Sequence, residues 1–392
     1  MGIDKANLED VSWIDLEELV EGGVPEALRL EYKREPYGGS DDDKRELLKD
    51  VSALANSSGG HLIIGIAERD GCADALVGID QSTVDAEIRR VESIVRTSVE
   101  PRIVGLRMHA VIAADGRAAI VIRVQRSWNG PHRVTFKGLN KFYVRISRSV
   151  NEAGVEELRT MFTQSSSALS QAREFRDQRL RAIASAIGMS PLQGSGRLIV
   201  HIVPISSFSQ SRSVDLVQAS KHQGAFRPMG VHGWNPRFNY EGFVNEAGRN
   251  VNIGYTQLFR NGCLECTKAG LVHDQGNTKV IPIVPLEGDF FDVFAGFIDG
   301  LRDLAVQPPF IVMVTLEGVL DARLMVGQSF STDFGTALQL DRLTLPECIV
   351  EDFGEAAAYH LAIRPAFDAL WNAKGSASDP FFGSDGTWVG PK

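Results

Sequence analysis

The stretch ALANSSGGHLIIGIA at residues 53–67 decides the fold of the first part of the chain. It completes an apolar helical stripe that ends near Asn56, and it turns at Gly59 and Gly60. From His61 to Ala67 it continues as an almost unbroken apolar run, which is typical of a central strand buried on both faces. Helix, glycine turn and buried strand together predict a mixed α/β domain.

The segments on either side fit the same class. Leu28, Leu30 and Tyr32 alternate with charged residues, so residues 28–33 are predicted to form a strand with Glu31 and Lys33 on its polar face. Ser40 and the acidic residues after it predict a helix start. The remaining predicted elements are a helix at residues 84–97 and strands at residues 118–125 and 141–147. We place this α/β module at residues 1–160.

The second half is also predicted to be mixed α/β. An arginine-rich segment predicts a linker helix within residues 161–190, and residues 191–392 form the second domain. Its predicted strands are residues 197–205, 279–284 and 309–316, and its predicted helices are residues 290–304 and 354–371. The segment after Gly375 is rich in Gly, Ser, Asp and Pro and is expected to be surface coil.

Composition restricts the function. A length of 392 residues favours two domains. No apolar run approaches the roughly 20 residues of a membrane span, and the beginning of the sequence lacks a secretory signal pattern. Four scattered cysteines agree with a reducing compartment, so a cytoplasmic location without membrane contact is expected. The net charge of -9 argues against a protein that coats nucleic acid over its whole surface.

Three carboxylates are the candidate chemistry: Glu26, Glu31 and Glu68. Glu31 lies on the polar face of its strand, and Glu68 is expected to end the buried strand. Glu26 and Glu31 would lie on opposite faces of a regular strand, so they converge only if the chain turns near Pro25 or Glu26. Converging carboxylates would suit Mg²⁺ or Mn²⁺. The competing interpretation is that these are ordinary solvated surface glutamates.

A local basic segment stands out in this acidic chain. Between Asp115 and Glu152 there are eight basic residues and no acidic one. Aromatic residues such as Trp128, His132 and Phe142 are interleaved with them, a pattern suited to phosphate contacts and base stacking. The alternative is a solvated basic hairpin with core aromatics. The predicted nucleic-acid contacts are Arg123, Arg126, Arg133, Lys137, Lys141, Arg145 and Arg148.

Other motifs are weak. Asn56, Gly59 and Gly60 fit a helix end and a left-handed turn better than a phosphate-binding loop. The sequence contains no P-loop pattern, so ATP binding has no motif to support it. In the second half, residues 234–239 and 255–262 are dense in aromatics, amides and arginine, which suits either a recognition pocket or a packed loop.

An ordered set of motifs resembles the AlbA-type domain of the Schlafen family. The motifs cover about residues 20–155: Glu26, Leu30-Glu31-Tyr32-Lys33, ALANSSGGHLIIGI at residues 53–66, Val77-Gly78-Ile79 and Tyr143-Val144-Arg145. Some members are metal-dependent endoribonucleases that cut transfer and ribosomal RNA with three acidic residues, and many bacterial members are described as DNA-binding, transcriptional or ATP-binding proteins. By motif, the resemblance puts the acids on Glu26, Glu31 and Glu68, where the last replaces the usual Asp.

The sequence and the resemblance together predict a two-domain nucleic-acid-binding protein. A homodimer is compatible with this prediction. In the sharper hypothesis it is an endoribonuclease that acts on structured RNA such as tRNA. Glu26, Glu31 and Glu68 would hold Mg²⁺ or Mn²⁺, and Lys33 would help to position the RNA. The alternatives are a non-catalytic DNA-binding transcriptional regulator and a nucleotide-sensing defence protein.

Overall fold

The computed structural model describes residues 2–3, 5, 8–127, 129–185, 191–208, 213–248, 251–327, 333–354 and 356–391, without the side chains of residues 164–167 and 333. The chain divides into two units, Met1–Ala168 and Leu169–Lys392. Both contain helices and sheets, so the predicted mixed α/β class is confirmed. None of the described helices has the length and apolar character needed to cross a membrane.

The first unit is built around a five-stranded sheet in the order β1-β2-β8-β5, with β7 also paired to β8. A second sheet has the order β11-β10-β9-β6, and β3 and β4 form a separate hairpin. The helices and strands are α1 (Trp13–Glu21), β1 (Leu30–Lys33), α2 (Asp41–Asn56), β2 (Gly60–Ile64), β3 (Ile66–Arg69), β4 (Cys72–Leu76), β5 (Ile79–Asp80), α3 (Val84–Ser98), β6 (Val99–Glu100), β7 (Leu106–Ile112), β8 (Arg117–Val124), β9 (Arg133–Phe136), β10 (Leu139–Ile146) and β11 (Ser149–Glu152).

The predicted helix before the glycine turn is α2. Ser40 caps its start, because the Ser40 hydroxyl accepts the N–H of Asp43 at 3.2 Å. Leu47, Val51 and Leu54 lie fully buried in the core that α2 shares with the central sheet. The apolar stripe that predicted the helix is therefore the face that packs.

The glycine turn is a place of close backbone approach. Gly59 and Gly60 have φ of +65° and +146°. A Cβ on Gly60 would lie 2.2 Å from the carbonyl oxygen of Arg29. The N–H of Gly59 is bonded to the carbonyl oxygen of Leu54 at 2.9 Å, so it closes the helix end. The contacts agree with the structural interpretation of these glycines.

Replacing Gly60 by alanine should lower the free energy of unfolding of the first unit by about 1–3 kcal/mol, because the new Cβ overlaps backbone atoms that cannot move alone. Urea denaturation measures the loss. Gly39→Ala is the matched control, since nothing lies within 4 Å of a Cβ there. Equal stabilities of the two variants would contradict the close-approach argument.

The prediction of one long buried strand at residues 61–67 is wrong in one respect. The chain is interrupted at Gly65, which has a φ of +113°. β2 ends before this glycine, and β3 after it pairs with β4 and not with the central sheet. A Cβ on Gly65 would lie 3.2 Å from the Ala119 side chain. Glu68 therefore lies on a hairpin, and it does not end the central strand.

The predicted linker segment is part of one longer helix, α4 (Val155–Ala184), and the boundary between the units falls within it. Residues 186–190, the end of the predicted linker, lie outside the described residues.

The second unit contains an antiparallel eight-stranded sheet in the order β13-β14-β15-β16-β12-β19-β22, with β23 also paired to β19. A four-stranded sheet has the order β17-β18-β20-β21. The elements are β12 (Arg197–Pro204), α5 (Leu216–Lys221), β13 (Asn235–Phe238), β14 (Gly242–Ala247), β15 (Gly254–Phe259), β16 (Leu264–Ala269), β17 (His273–Gln275), β18 (Thr278–Pro282), α6 (Ile283–Asp303), β19 (Phe310–Glu317), β20 (Arg323–Val326), β21 (Asp333–Ala337), β22 (Arg342–Thr344), β23 (Cys348–Val350) and α7 (Ala356–Lys374).

Two expectations for this unit need correction. Helix α6 begins at Ile283, earlier than predicted, because Pro285 lies in the first turn, where its missing N–H costs no hydrogen bond. The segment after Gly375 is not simple surface coil. Asp379 is 2% exposed, and Phe381, Phe382 and Trp388 pack against the core.

Candidate functional site

Strand β1 carries the candidate site on its polar face. Leu30 and Tyr32 are 3% and 2% exposed and point into the core beneath the central sheet. Glu31 and Lys33 alternate with them and point to the other side. The period of two in this short sequence therefore separates the packing residues from the chemical ones.

Glu31 is held by two cations. Arg145 on β10 donates through Nη2 to Glu31 Oε2 at 2.5 Å, and the Lys33 ammonium lies 3.2 Å from Glu31 Oε1. Arg145 also donates to the carbonyl oxygens of Ala27 (3.1 Å) and Leu30 (3.2 Å). Its side chain is 0% exposed. Arg145 thus fixes both the carboxylate and the turn that precedes β1.

Glu26 reaches the same region because the chain turns between Ala27 and Leu30, whose backbone groups exchange two hydrogen bonds of 3.1 Å. Glu26 Oε1 accepts the N–H of Tyr32 at 3.0 Å. Burial, followed by the charges of Glu31 and Glu68, raises the pKa of Glu26, against a lowering by the Tyr32 N–H. The charges of both other predicted carboxylates therefore contribute to the pKa of Glu26.

Glu68 approaches from the β3–β4 hairpin and is exposed. Its Oε2 accepts the N–H of Gly71 at 2.7 Å. The guanidinium of Arg148 lies over the same turn, with Nη1 2.3 Å from the place a Cβ on Gly71 would take. Glu68 is the most accessible of the three acids, and a basic side chain stands next to its turn.

Lys33 sits among further acids that the sequence analysis missed. Its ammonium lies 2.9 Å from Glu46 and 3.4 Å from Asp50, and the Tyr37 hydroxyl donates to Asp50 at 2.7 Å. Burial disfavours the charge of Lys33, but Asp50, Glu46 and Glu31 outweigh it and raise its pKa. Burial raises the pKa of Asp50 although Lys33 opposes this. The available signal was the spacing of Glu46 and Asp50, one helical turn apart on α2.

The donor chemistry fits a hard divalent cation, but the spacing is not that of a formed site. The three predicted acids and the two beside Lys33 outnumber the cations Lys33 and Arg145 among them. Carboxylate oxygens under excess negative charge are what Mg²⁺ and Mn²⁺ prefer. Across the part of the chain that the structure describes, no group of three or more His, Cys, Asp or Glu side chains is close enough to hold a metal ion.

Two of the seven predicted nucleic-acid contacts lie inside the protein, which corrects that expectation for them. Arg123 is 8% exposed and donates to His61 Nε2 (2.9 Å) and to the carbonyl oxygen of Ile3 (2.9 Å). Arg145 is buried against Glu31. Strand alternation gives the face of a side chain, but it does not say whether another element covers that face.

The other five basic residues are accessible, and three of them have acidic partners from other elements. Arg133 pairs with Glu100 (2.7 Å), Lys137 with Asp41 (2.6 Å) and Lys141 with Glu152 (2.5 Å). Arg126 and Arg148 are exposed. Exposed pairs of this kind contribute little stability, about 0–1 kcal/mol each, so a phosphate group can replace the acid at low cost.

Of the predicted stacking aromatics, His132 is fully buried, and its Nδ1 lies 2.7 Å from the Pro101 carbonyl oxygen. Burial lowers its pKa. Asn56 clamps this region to the end of α2, since its amide donates to the carbonyl oxygens of His132 and Tyr143, both at 2.9 Å. Phe142 packs edge-on against Phe162, and Trp128 lies outside the described residues.

Comparison with known proteins gives one family match. Residues 26–154 match the family model described as Schlafen, AlbA_2. No curated protein matches the chain. Among solved structures, a crystal structure of the DIP2311 protein from Corynebacterium diphtheriae is similar at 14% sequence identity and a TM-score of 0.25, over 54% of this chain and 38% of that one. A similarity of that size supports no statement about fold or function.

The matched range begins at Glu26 and ends after β11, so it contains all three carboxylates, Lys33 and the basic strands. The match confirms the resemblance drawn from the motifs, and a domain of this family indicates a nucleic-acid-binding function. Residues 26–154 of this chain are therefore similar to the Schlafen AlbA_2 domain.

Proposed function

We propose that this protein binds structured RNA such as tRNA through its Schlafen AlbA_2 domain and cleaves it with the help of a divalent cation. The observation that supports the proposal is that Glu26 accepts the N–H of Tyr32 beside Glu31 and feels the charges of both Glu31 and Glu68, so the three acids share one region although they are not within ligand distance of one ion.

Mg²⁺ or Mn²⁺ held by Glu26, Glu31 and Glu68 would supply a bound water of lowered pKa and neutralise charge on the phosphate. The chain's own residues bind and orient the RNA. Arg148 stands beside the Glu68 turn, where a phosphate oxygen would meet its guanidinium. Arg126, Arg133, Lys137 and Lys141 offer further phosphate contacts at the surface, and counterion release favours such binding.

Lys33 has a separate part in the proposal. Its ammonium is fixed by Glu46 and Asp50 and faces Glu31. It therefore carries a permanent positive charge at the centre of an acidic site, since its pKa is raised. We infer that it holds Glu31 in place and attracts the phosphate that approaches the acids.

One observation favours a second candidate, a non-catalytic DNA-binding regulator. Both oxygens of Glu31 already have protein partners, Arg145 and Lys33, which is what a structural carboxylate would show. In that case the same basic strands bind the nucleic acid, and the acids only stabilise the fold around β1.

Cleavage of purified total tRNA separates the two candidates. With Mg²⁺ or Mn²⁺ the wild type should cut tRNA, and with EDTA it should not. Glu26→Gln, Glu31→Gln and Glu68→Gln should each reduce cleavage by about 100-fold or more while retaining RNA binding, because a lost metal ligand removes the activated water. Glu35→Gln is the matched control, since this exposed glutamate follows the same strand.

Each outcome has a distinct meaning. Metal-independent cutting, or full activity in Glu31→Gln, would contradict the metal-assisted proposal. Intact RNA that is bound in a salt-dependent way would favour the regulator, and the next substrate to test would then be duplex DNA. Absence of binding to either nucleic acid would contradict both candidates.

A further inference from the structure

The segment of residues 376–391, here called the strap, folds back over helices α6 and α7. It forms a small hairpin, in which Gly383 N–H donates to the Thr387 carbonyl oxygen and Val389 N–H donates to that of Phe381, both at 2.8 Å. Phe382 and Trp388 form a β-bridge across it. The strap is therefore an ordered element with its own backbone bonds.

Trp388 is the main anchor of the strap. Its ring stacks on Phe291 of α6 with centroids 4.7 Å apart and planes at 15°. Its backbone N–H donates to Nδ1 of His360 on α7 at 3.2 Å, and its indole N–H donates to Glu287 at 3.3 Å. One residue thus joins the strap to both helices.

Glu287 is a carboxyl group without access to water, since it is 0% exposed. The indole N–H of Trp371 donates to its Oε1 at 2.6 Å, and that of Trp388 donates to its Oε2. A second buried carboxyl, Asp379, comes from the strap and is 2% exposed. One oxygen of Asp379 accepts the Phe381 N–H at 2.8 Å, and its Oδ2 has no hydrogen-bond partner among the described residues.

In the part of the chain that the structure describes, charged side chains of α7 also lie around this pair. Arg364 pairs with Asp368 at 3.4 Å, and Asp368 accepts the N–H of Asp379 at 2.9 Å. The Lys374 ammonium lies 5.9 Å from the Trp371 ring centroid. Glu287 receives hydrogen bonds only from neutral indoles in the described structure. A charge on it would be poorly compensated where the strap covers it.

We propose that the strap is a proton-linked latch. It stays on α6 and α7 while Glu287 is protonated, and it loosens when Glu287 ionises. Loosening uncovers a groove whose floor is formed by Phe291, Trp371 and His360. This inference concerns the second unit and does not depend on the proposed RNA cleavage. A neutral carboxyl still accepts both indole N–H groups, so protonation costs no hydrogen bond.

The direction of the pH dependence follows from burial. Burial, followed by the charge of Asp379, raises the pKa of Glu287 to about 8, and burial raises the pKa of Asp379 to about 6. A released strap exposes Glu287, whose pKa then returns toward 4.5. The docked form therefore binds more protons, and docking weakens as the pH rises from the released pKa to the docked one.

His360 acts in the opposite direction. Burial lowers its pKa, and its Nδ1 must be unprotonated to accept the Trp388 N–H. Its contribution is present above its ordinary pKa of 6.5 and is lost as the pH falls through the lowered value. Asp379 is half-ionised near pH 6 and largely ionised by about pH 7. The interval from about pH 7 to about pH 8 therefore mainly reports Glu287.

Hydrogen exchange of peptides from residues 376–391 in the full chain tests the latch over this interval. After correction for intrinsic exchange, protection of the wild type should fall by up to about tenfold per pH unit. Glu287→Gln should remove this slope, whatever it does to the protection level. Asp379→Asn should move the midpoint to lower pH, because it removes the charge that helps to keep Glu287 protonated. Peptides from β14 are the internal control.

Two results would overturn the latch. If protection of the strap in Glu287→Gln falls with pH as steeply as in the wild type, another group controls the strap. A wild-type strap that exchanges at the intrinsic rate throughout would mean that it is not docked at all. Trp388→Phe adds a check that does not involve the carboxyl group. It removes the indole donor, and it should lower protection of the strap while peptides from β14 stay unchanged.

Discussion

Replacing Arg145 by alanine is expected to destabilise the first unit by about 3–5 kcal/mol, the usual cost of breaking a buried ion pair from one side. Arg145 is fully buried, and it supplies hydrogen bonds to Glu31 and to the carbonyl oxygens of Ala27 and Leu30. Alanine would leave a cavity, remove the donor to Glu31 Oε2, and leave the Ala27 and Leu30 carbonyl oxygens with only the bonds that the two residues exchange. Total stabilities of domains are only about 5–15 kcal/mol, so much of this unit would unfold at moderate urea concentrations.

Lys141→Ala is the matched control for this prediction. Lys141 lies on the same strand, but its side chain is 44% exposed and its partner Glu152 is at the surface. Its loss should change the free energy of unfolding by about 0–1 kcal/mol. Urea denaturation followed by circular dichroism measures both variants. If Arg145→Ala were as stable as Lys141→Ala, the ion pair between Arg145 and Glu31 would contribute nothing to the stability of this unit.

The sequence predicted the local elements of the first unit because their patterns are local. The alternation around Glu31 identified β1 and its polar face, and the helical stripe with its Ser40 cap identified α2. The break at Gly65 could not be read in the same way. An apolar run looks continuous in sequence, whereas the break depends on the contact of Gly65 with Ala119 on another strand.

The sequence analysis named the three acids of the carboxylate site, but it did not predict the ion pairs that these acids form. Glu31 and Arg145 are 114 residues apart, so nothing in the sequence near either one indicates that they pair. The basic segment shows the same limit. Counted along the chain it contains no acid, but Glu100 and Asp41 from other elements lie against Arg133 and Lys137 in space.

The strap was missed for a different reason. Gly, Ser, Asp and Pro normally mark exposed coil, and the composition of residues 376–391 fits that rule. Phe381, Phe382 and Trp388 are the exceptions within it, because large aromatic side chains rarely stay in water without a packing partner. Three aromatics in an otherwise polar segment were the signal that it packs.

Replacing Glu265 by glutamine is expected to destabilise the second unit by about 3–5 kcal/mol at neutral pH. Glu265 is 0% exposed and binds Arg179 of α4 through both oxygens at 3.0 Å. Tyr255 donates to it at 2.7 Å, and His201 Nε2 lies 2.9 Å away. Glutamine keeps the shape but removes the charge, so Arg179 loses this acidic partner and retains Glu241.

The pH dependence of this loss provides the sharper check. Burial alone would raise the pKa of Glu265, but His201 and Arg179 outweigh it and lower the pKa to about 2. Because the folded pKa is below the ordinary value of 4.5, the stability from Glu265 is complete above pH 4.5 and is lost as the pH falls toward 2. The difference in the free energy of unfolding between wild type and Glu265→Gln should therefore be large at neutral pH and shrink in acid.

Hydrogen exchange of β12, β15 and β16 peptides measures this difference. Arg342→Ala is the control, because it removes a surface ion pair on the same sheet. A difference that stays constant with pH would mean that Glu265 contributes by its shape and not by its charge.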